Sequence, residues 1–90
     1  MRAIVTVIGR DRVGIIAGVC AQLADANVNI LDISQTILHE YFTMIMLVDV
    51  SGCPVPFSEL AMALGENGER MGVSVRIQRE DIFEAMHRLD

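Results

Sequence analysis

The sequence predicts an α+β sandwich in the order βαββαβ, with an antiparallel four-stranded sheet, two helices on one face and a short C-terminal helix. Two observations predict it. Ala3 to Ile8, Val28 to Leu38, Tyr41 to Val50 and Val73 to Gln78 carry strand patterning. The stretches after the first and third of these carry apolar residues at helical spacing.

Ala3 to Ile8 (Ala-Ile-Val-Thr-Val-Ile) is short and rich in β-branched residues, as a buried strand requires. Gly9 to Gly14 reads as a loop. Ile16, Val19, Cys20, Leu23 and Ala24 then share one face of a helix, which Asp25-Ala26-Asn27 ends. Val28 to Leu38 alternates. Leu31, Ile33, Gln35 and Ile37 take one side and Asp32, Ser34 and Thr36 the other, so one side is expected to be wet or to line a site. His39-Glu40 is the turn into Tyr41 to Val50, which is apolar on both faces from Met44 to Val48. After the loop from Ser51 to Pro56, Phe57, Leu60, Ala61 and Leu64 mark a second helix face. Gly65 and Gly68 weaken its second half, and Gly72 ends it. The last strand, Val73 to Gln78, alternates. Asp81 to Leu89 follows as a tail helix whose Ile82, Phe83, Met86 and Leu89 form an apolar face that must dock on something.

A hairpin between two crossover helices is the ferredoxin-like arrangement. Right-handed crossovers place the first and third strands in the centre, in line with their apolar runs. Two helices cover only one face of such a sheet, so the tail helix, a partner chain or both are expected to cover the other. The chain reads as a single domain over residues 1–90, with a βαββαβ core at 1–79 and the C-terminal helix at 80–90.

At 90 residues, 52% hydrophobic and with a mean hydropathy of +0.44, the chain has more apolar surface than a small monomer hides easily. A homodimer is therefore expected. The net charge of −5 disfavours nucleic acid and anionic membranes as partners. Met1-Arg2-Ala3-Ile4-Val5 is too short and too β-like for a signal peptide, and Met44 to Val48 is far too short to span a bilayer. A cytoplasmic location is expected. There Cys20 and Cys53, outside any CxxC arrangement, are expected to be thiols rather than a bridge.

Several activities share this topology, so the site must decide. An RNA-recognition module needs stacked aromatics on its central strands and basic flanks. This chain has three Phe, one Tyr and no Trp, and Tyr41 and Phe42 sit beside the hairpin turn. A metal chaperone needs paired cysteines in the first loop, which has none. An acylphosphatase-like hydrolase is the enzymatic rival, because Arg10 and Arg12 flank a loop that enters a helix N-terminus, where anions bind. The glycine-bracketed motif and downstream Asn of those enzymes are missing. His39 and His87 read as solvated, Ser34, Ser51, Ser58 and Ser74 have no base suggested by spacing, and Asp25, Asp32 and Asp49 read as cap or surface carboxylates. Neither catalysis nor a cofactor or metal is expected.

The stretch VIGRDRVGIIAGVCAQLADANVNILDISQTI resembles the opening half of ACT domains: a strand, G-x-D-[RK]-x-G-[IL], a helix, then N-[VI]-N-I into the second strand. NVNILDISQTI, YFTMIMLVDVS and VRIQREDIFEAMHRL are closer still to the small stand-alone ACT proteins of bacteria and archaea. These are similar to the ACT domains of the glycine cleavage system transcriptional repressor and of formyltetrahydrofolate deformylase. Val13 stands where many members carry Pro. The resemblance covers essentially the whole chain. It implies regulatory binding of an amino acid or similar small ligand, and side-by-side pairing of two domains through their second strands. It places the ligand where the first loop and helix of one domain face the partner's second strand. Carried over, the loop positions are Asp11, Arg12 and Gly14, and the strand entry supplies Asn27, Asn29 and Ile30.

The chemistry of these positions suits a zwitterion: N–H donors at the helix start for a carboxylate, and oxygens of Asp11, Asn27 and Asn29 for an ammonium. Each position also has a structural reading. Asp11 would cap the helix, Asn27 and Asn29 would shape the turn into the second strand, Gly14 would serve packing, and Arg12 would be a solvated charge. The alternative to a ligand-sensing dimer is a ligand-free interaction module that docks on another protein by an edge strand or its apolar sheet face.

Overall fold

The computed structural model describes residues 1–10 and 14–86. Along them run β1 (Arg2–Arg10), α1 (Ile15–Asp25), β2 (Asn29–Leu38), β3 (Tyr41–Asp49), α2 (Phe57–Met71), β4 (Val73–Arg79) and α3 (Glu80–Met86). The sheet order is β2-β3-β1-β4, and every neighbouring pair is antiparallel. The expected α+β, ferredoxin-like sandwich is therefore present, with β1 and β3 central.

The core lies between one sheet face and α1 and α2. Ala3, Val5 and Val7 of β1 alternate with outward residues and are fully buried, as are Met44, Met46 and Val48 of β3. Val19 and Leu23 of α1 and Leu64 of α2 close over them, also fully buried. Burying a side chain of this size contributes about 1.5–3 kcal/mol against leaving it wet, so this layer holds the fold together.

The buried stripe of α1 differs from the expected one. Ile15, Val19 and Leu23 face the core, whereas Ile16 is 40% exposed and Ala24 is exposed. Contacts to α2 set this rotation. Gln22 donates from Nε2 to the Ala63 carbonyl at 2.9 Å and accepts from Asn67 Nδ2 at 2.8 Å. At 100° per residue, the Gly18–Gln22 flank lies opposite the flank carrying Ile16, Cys20 and Ala24. That second flank is turned away from α2.

Two boundaries also move, the end of β1 and the start of the tail helix, while α2 ends at Gly72 as expected. β1 runs on through Gly9, opposite Phe42 and Val73, to Arg10, so the first loop starts later than expected. α2 continues through Gly65 and Gly68 to Met71. Gly68 is buried against β4, where a Cβ would lie 2.6 Å from Val75 Cγ2, so close packing explains a residue that propensity disfavours. The tail helix starts at Glu80, and its expected positions His87 and Leu89 lie outside the described residues.

The second sheet face is only partly covered. α3 packs beside β1 and β4, with Arg2 ion-paired to Glu80 at 2.7 Å and Gln78 Nε2 donating to Met86 Sδ. Further along this face, Ile8, Ile45 and Tyr41 remain exposed, as do Ile82 and Met86 on α3 itself.

β2 is an edge strand, and the register shifts between Ile30/Val48 and Asp32/Leu47, leaving Leu31 as the extra residue of a bulge. Ile33, Gln35 and Ile37 lie opposite Met46, Met44 and Phe42, so they share the helix-covered face. No described helix reaches over them, and every residue from Leu31 to Leu38 is exposed. Both sides of β2 are wet, where the alternation suggested only one.

Candidate functional site

The first half of the candidate site lies where β1 meets α1. β1 ends at Arg10 opposite Tyr41, so this end of the sheet also carries the hairpin turn at His39 and Glu40. His39 holds a left-handed backbone with φ 55. Asp11 and Arg12 lie outside the described residues. Gly14 is the N-cap of α1 at φ 90, a left-handed conformation open to glycine and costly for other residues. A helix start leaves its first N–H groups without intrahelical partners, and Gly14 has no side chain to cap them. Gly14 is exposed, and a Cβ there would meet nothing within 4 Å. Among the described residues no side chain caps this helix start, whose positive dipole end lies beside the hairpin.

The second half lies at the other end of α1. Asn27 takes φ 59 just past the C-cap Ala26. Its N–H donates to the Ala24 carbonyl at 3.0 Å, and Val28 N–H to the Leu23 carbonyl at 2.9 Å. This is a Schellman closure, with buried Leu23 and Val28 as its apolar pair. The Asn27 side chain is itself engaged, donating from Nδ2 to the Gly52 carbonyl at 3.0 Å. Asn29 opens β2, is exposed and stands opposite Asp49. Ile30 is half-buried against the core.

Between the two halves runs the eleven-residue α1, about 16 Å long. Within one chain the structure does not bring Gly14 to Asn27, Asn29 and Ile30. They occupy opposite ends of the sheet, one beside the β2–β3 hairpin and the other beside the start of β1.

Sequence reasoning treated Asp49 only as a surface or cap carboxylate, and the structure gives it specific partners. Hydrogen bonds from Ser51, hydroxyl first and backbone N–H second, hold its carboxyl below the usual range, helped by the Met1 ammonium. The Asp-x-Ser spacing is the signal for this turn. Near it lies an apolar cavity of about 130 Å³, lined by Met1, Val50, Cys53, Val55, Phe57 and Leu60. A wider groove runs between the end of α2 and β4, past Glu69, Ser74 and Arg76. Neither contains Gly14 or Asn29.

Among the described residues, no three His, Cys, Asp or Glu side chains are grouped to hold a metal ion. Cys20 and Cys53 are half-buried free thiols. No described helix is long and apolar enough to cross a membrane.

The ACT domain family model matches residues 2–78. A UPF0237 protein of Clostridium acetobutylicum is 57% identical over 89 residues, covering 99% of this chain and all of that one. The structure of an ACT domain protein from Streptococcus pneumoniae superposes with a TM-score of 0.83 at 45% identity, covering 97% of this chain and 98% of that chain. A formyltetrahydrofolate deformylase from Pseudomonas syringae aligns with a TM-score of 0.78 at 26% identity, over 87% of this chain and 27% of that one. In sequence, strand order and helix placement alike, the chain belongs to the ACT domain family.

Proposed function

We propose that the protein is a non-catalytic regulatory domain that binds an amino acid or related small metabolite at the junction of two identical subunits. ACT domains are generally regulatory and ligand-binding, and this chain carries an ACT domain over nearly its whole length. One observation carries the two-subunit reading: the helix start at Gly14 and the Asn29 corner lie at opposite ends of β2, whose outer edge is unpaired among the described residues. Antiparallel pairing of two β2 strands about a two-fold axis sets the Gly14 end of one chain beside the Asn29 end of the other, twice per dimer. The helix start supplies N–H donors for a carboxylate, Asp11 and the Asn29 corner supply oxygens for an ammonium, and Arg12 supplies further positive charge. Ile30 borders the site from the core. The free thiols suit a reducing compartment such as the cytoplasm.

A thermal-shift series of the twenty amino acids at millimolar concentration tests this. A ligand that binds only the folded state raises the melting temperature, and Gly14→Leu is expected to abolish that rise while circular dichroism stays native. Absence of any shift across the series, together with capture of a specific protein partner by the exposed β2 edge, would favour the ligand-free interaction module instead.

A further inference from the structure

We propose that the sheet face opposite α1 and α2 docks an acidic amphipathic helix of another protein, which lies across β1 and β3 beside α3. This surface is separate from the ligand site proposed above, and the two readings can fail independently.

The strand residues that alternate with the core form this face. Their cross-strand partners arrange them in rows. Thr6 lies beside Ile45 and Arg76, Ile8 beside Thr43 and Ser74, and Arg10 beside Tyr41. α3 packs on β1 and β4, where Ile4 and Gln78 are half-buried. Beyond them the cover ends, and Ile8, Ile45 and Tyr41 are 50%, 42% and 51% exposed. Ile8 stands diagonal to both Ile45 and Tyr41, within reach of side-chain contact, so the three make one patch. Contiguous exposed apolar side chains with a polar rim mark an interaction surface.

The uncovered strip has the size of a helix. Tyr41 to Ile45 spans four steps along β3, about 14 Å at the rise of a strand. A helix with its side chains is about 10–12 Å across. A strand has nothing to pair with here, because β1 and β3 are central and engage neighbours on both sides. α3 already demonstrates how a helix sits on this face, with Glu80 paired to Arg2 and Met86 accepting from Gln78.

Charge gives the chemistry of the partner. Arg2 and Arg79 meet Glu80 and Asp81, whereas Arg10 and Arg76 form no ion pair among the described residues. They stand at two margins of the patch, Arg10 beside Tyr41 and Arg76 on β4 in the row of Ile45. The strand positions of the patch include no carboxylate, in a chain whose net charge is −5. A second copy of the same face would bring to these strands only further arginines, and the acidic remainder of the chain repels an anionic membrane. A helix with an apolar stripe and acidic margins meets both features. Its aliphatic side chains cover Ile8 and Ile45, and its carboxylates pair with Arg10 and Arg76.

Tyr41 reports on the patch directly, because it is the one tyrosine of a chain without tryptophan. Acrylamide quenching of its fluorescence measures how open the patch is. The probe is a peptide of about four helical turns with Leu at i, i+3, i+4 and i+7 spacing, Glu on both margins, and neither Tyr nor Trp. Quenching is expected to fall several-fold as this peptide is added to the full chain, and to stay unchanged with a peptide carrying Lys in place of Glu. Arg10→Glu combined with Arg76→Glu, both at exposed positions, is expected to exchange the effects of the two peptides while circular dichroism stays native. Equal shielding by both peptides, or shielding by neither, overturns the proposal. Shielding that rises with protein concentration alone gives the patch to a second copy, and shielding by phosphatidylserine vesicles but not by the Glu peptide gives it to a membrane; either overturns the proposal. None of these outcomes alters the amino-acid thermal-shift series, which tests the ligand site on its own.

Discussion

Asn27 ties the corner between α1 and β2 to the loop after β3, its Nδ2 donating to the Gly52 carbonyl at 3.0 Å while its backbone closes the helix at φ 59. Both jobs are structural, and they can be separated. Asn27→Gly keeps the left-handed backbone and loses the hydrogen bond, a net loss of about 0.5–1.5 kcal/mol. Asn27→Ala loses the bond and also strains the backbone by about 1–2 kcal/mol more. Urea denaturation of the two variants should therefore rank wild type above Asn27→Gly and Asn27→Ala last. Equal stability of the two variants would show that the backbone conformation there costs nothing.

Gly68 makes a second packing test. A methyl group there would sit 2.6 Å from Val75 Cγ2 and 3.0 Å from the Val73 carbonyl, and one of these contacts is backbone. Gly68→Ala trades a gain of helix propensity against overpacking that costs about 1–3 kcal/mol. A net fall in denaturation midpoint is expected, with unchanged strand and helix content. A rise would mean that α2 and β4 have room to separate.

Asp49 gives the stability a pH dependence with a fixed sign. Its carboxyl is held below the ordinary value of 3.8 by the Ser51 hydrogen bonds and the Met1 ammonium. A depressed carboxylate contributes stability above its unfolded pKa and loses it as pH falls through the folded one. Between pH 7 and pH 5 Asp49→Asn should thus be less stable than wild type, and the difference should close below about pH 4. A difference that stays constant down to pH 3 would assign the effect to something other than this charge.

The fold was legible because its signals are local. The β-branched run of Ala3 to Ile8, the alternation of Val73 to Gln78 and the turn at His39-Glu40 sit where the structure has strands and a hairpin. What escaped depends on neighbours distant in sequence. Ile16 and Ala24 belong to an apolar stripe by spacing, but α1 turns Gln22 toward α2, where it donates to the Ala63 carbonyl and accepts from Asn67, and leaves them exposed. The bulge at Leu31 is invisible to a period of two, since alternation looks continuous through it until the register with β3 is known. The candidate site was legible as residue types at the two ends of one helix. Their separation follows from chain geometry, because both flank the same eleven-residue α1. The Asp49–Ser51 turn adds a corner that its Asp-x-Ser spacing signals, although Asp49 read from sequence only as a cap or surface carboxylate.

The central claim is that each ligand site is built from two chains, and subunit mixing measures it. Gly14→Leu damages the helix-start half of the site and Asn29→Leu the strand half, so each homodimer should give no thermal shift with the amino acid that stabilises wild type most. Refolded together from an equal mixture, half the dimers are mixed, and each mixed dimer keeps one site with both halves native. Calorimetric titration of the mixture should then recover about a quarter of the wild-type sites. A mixture that binds no more than its parents would contradict a site shared between subunits.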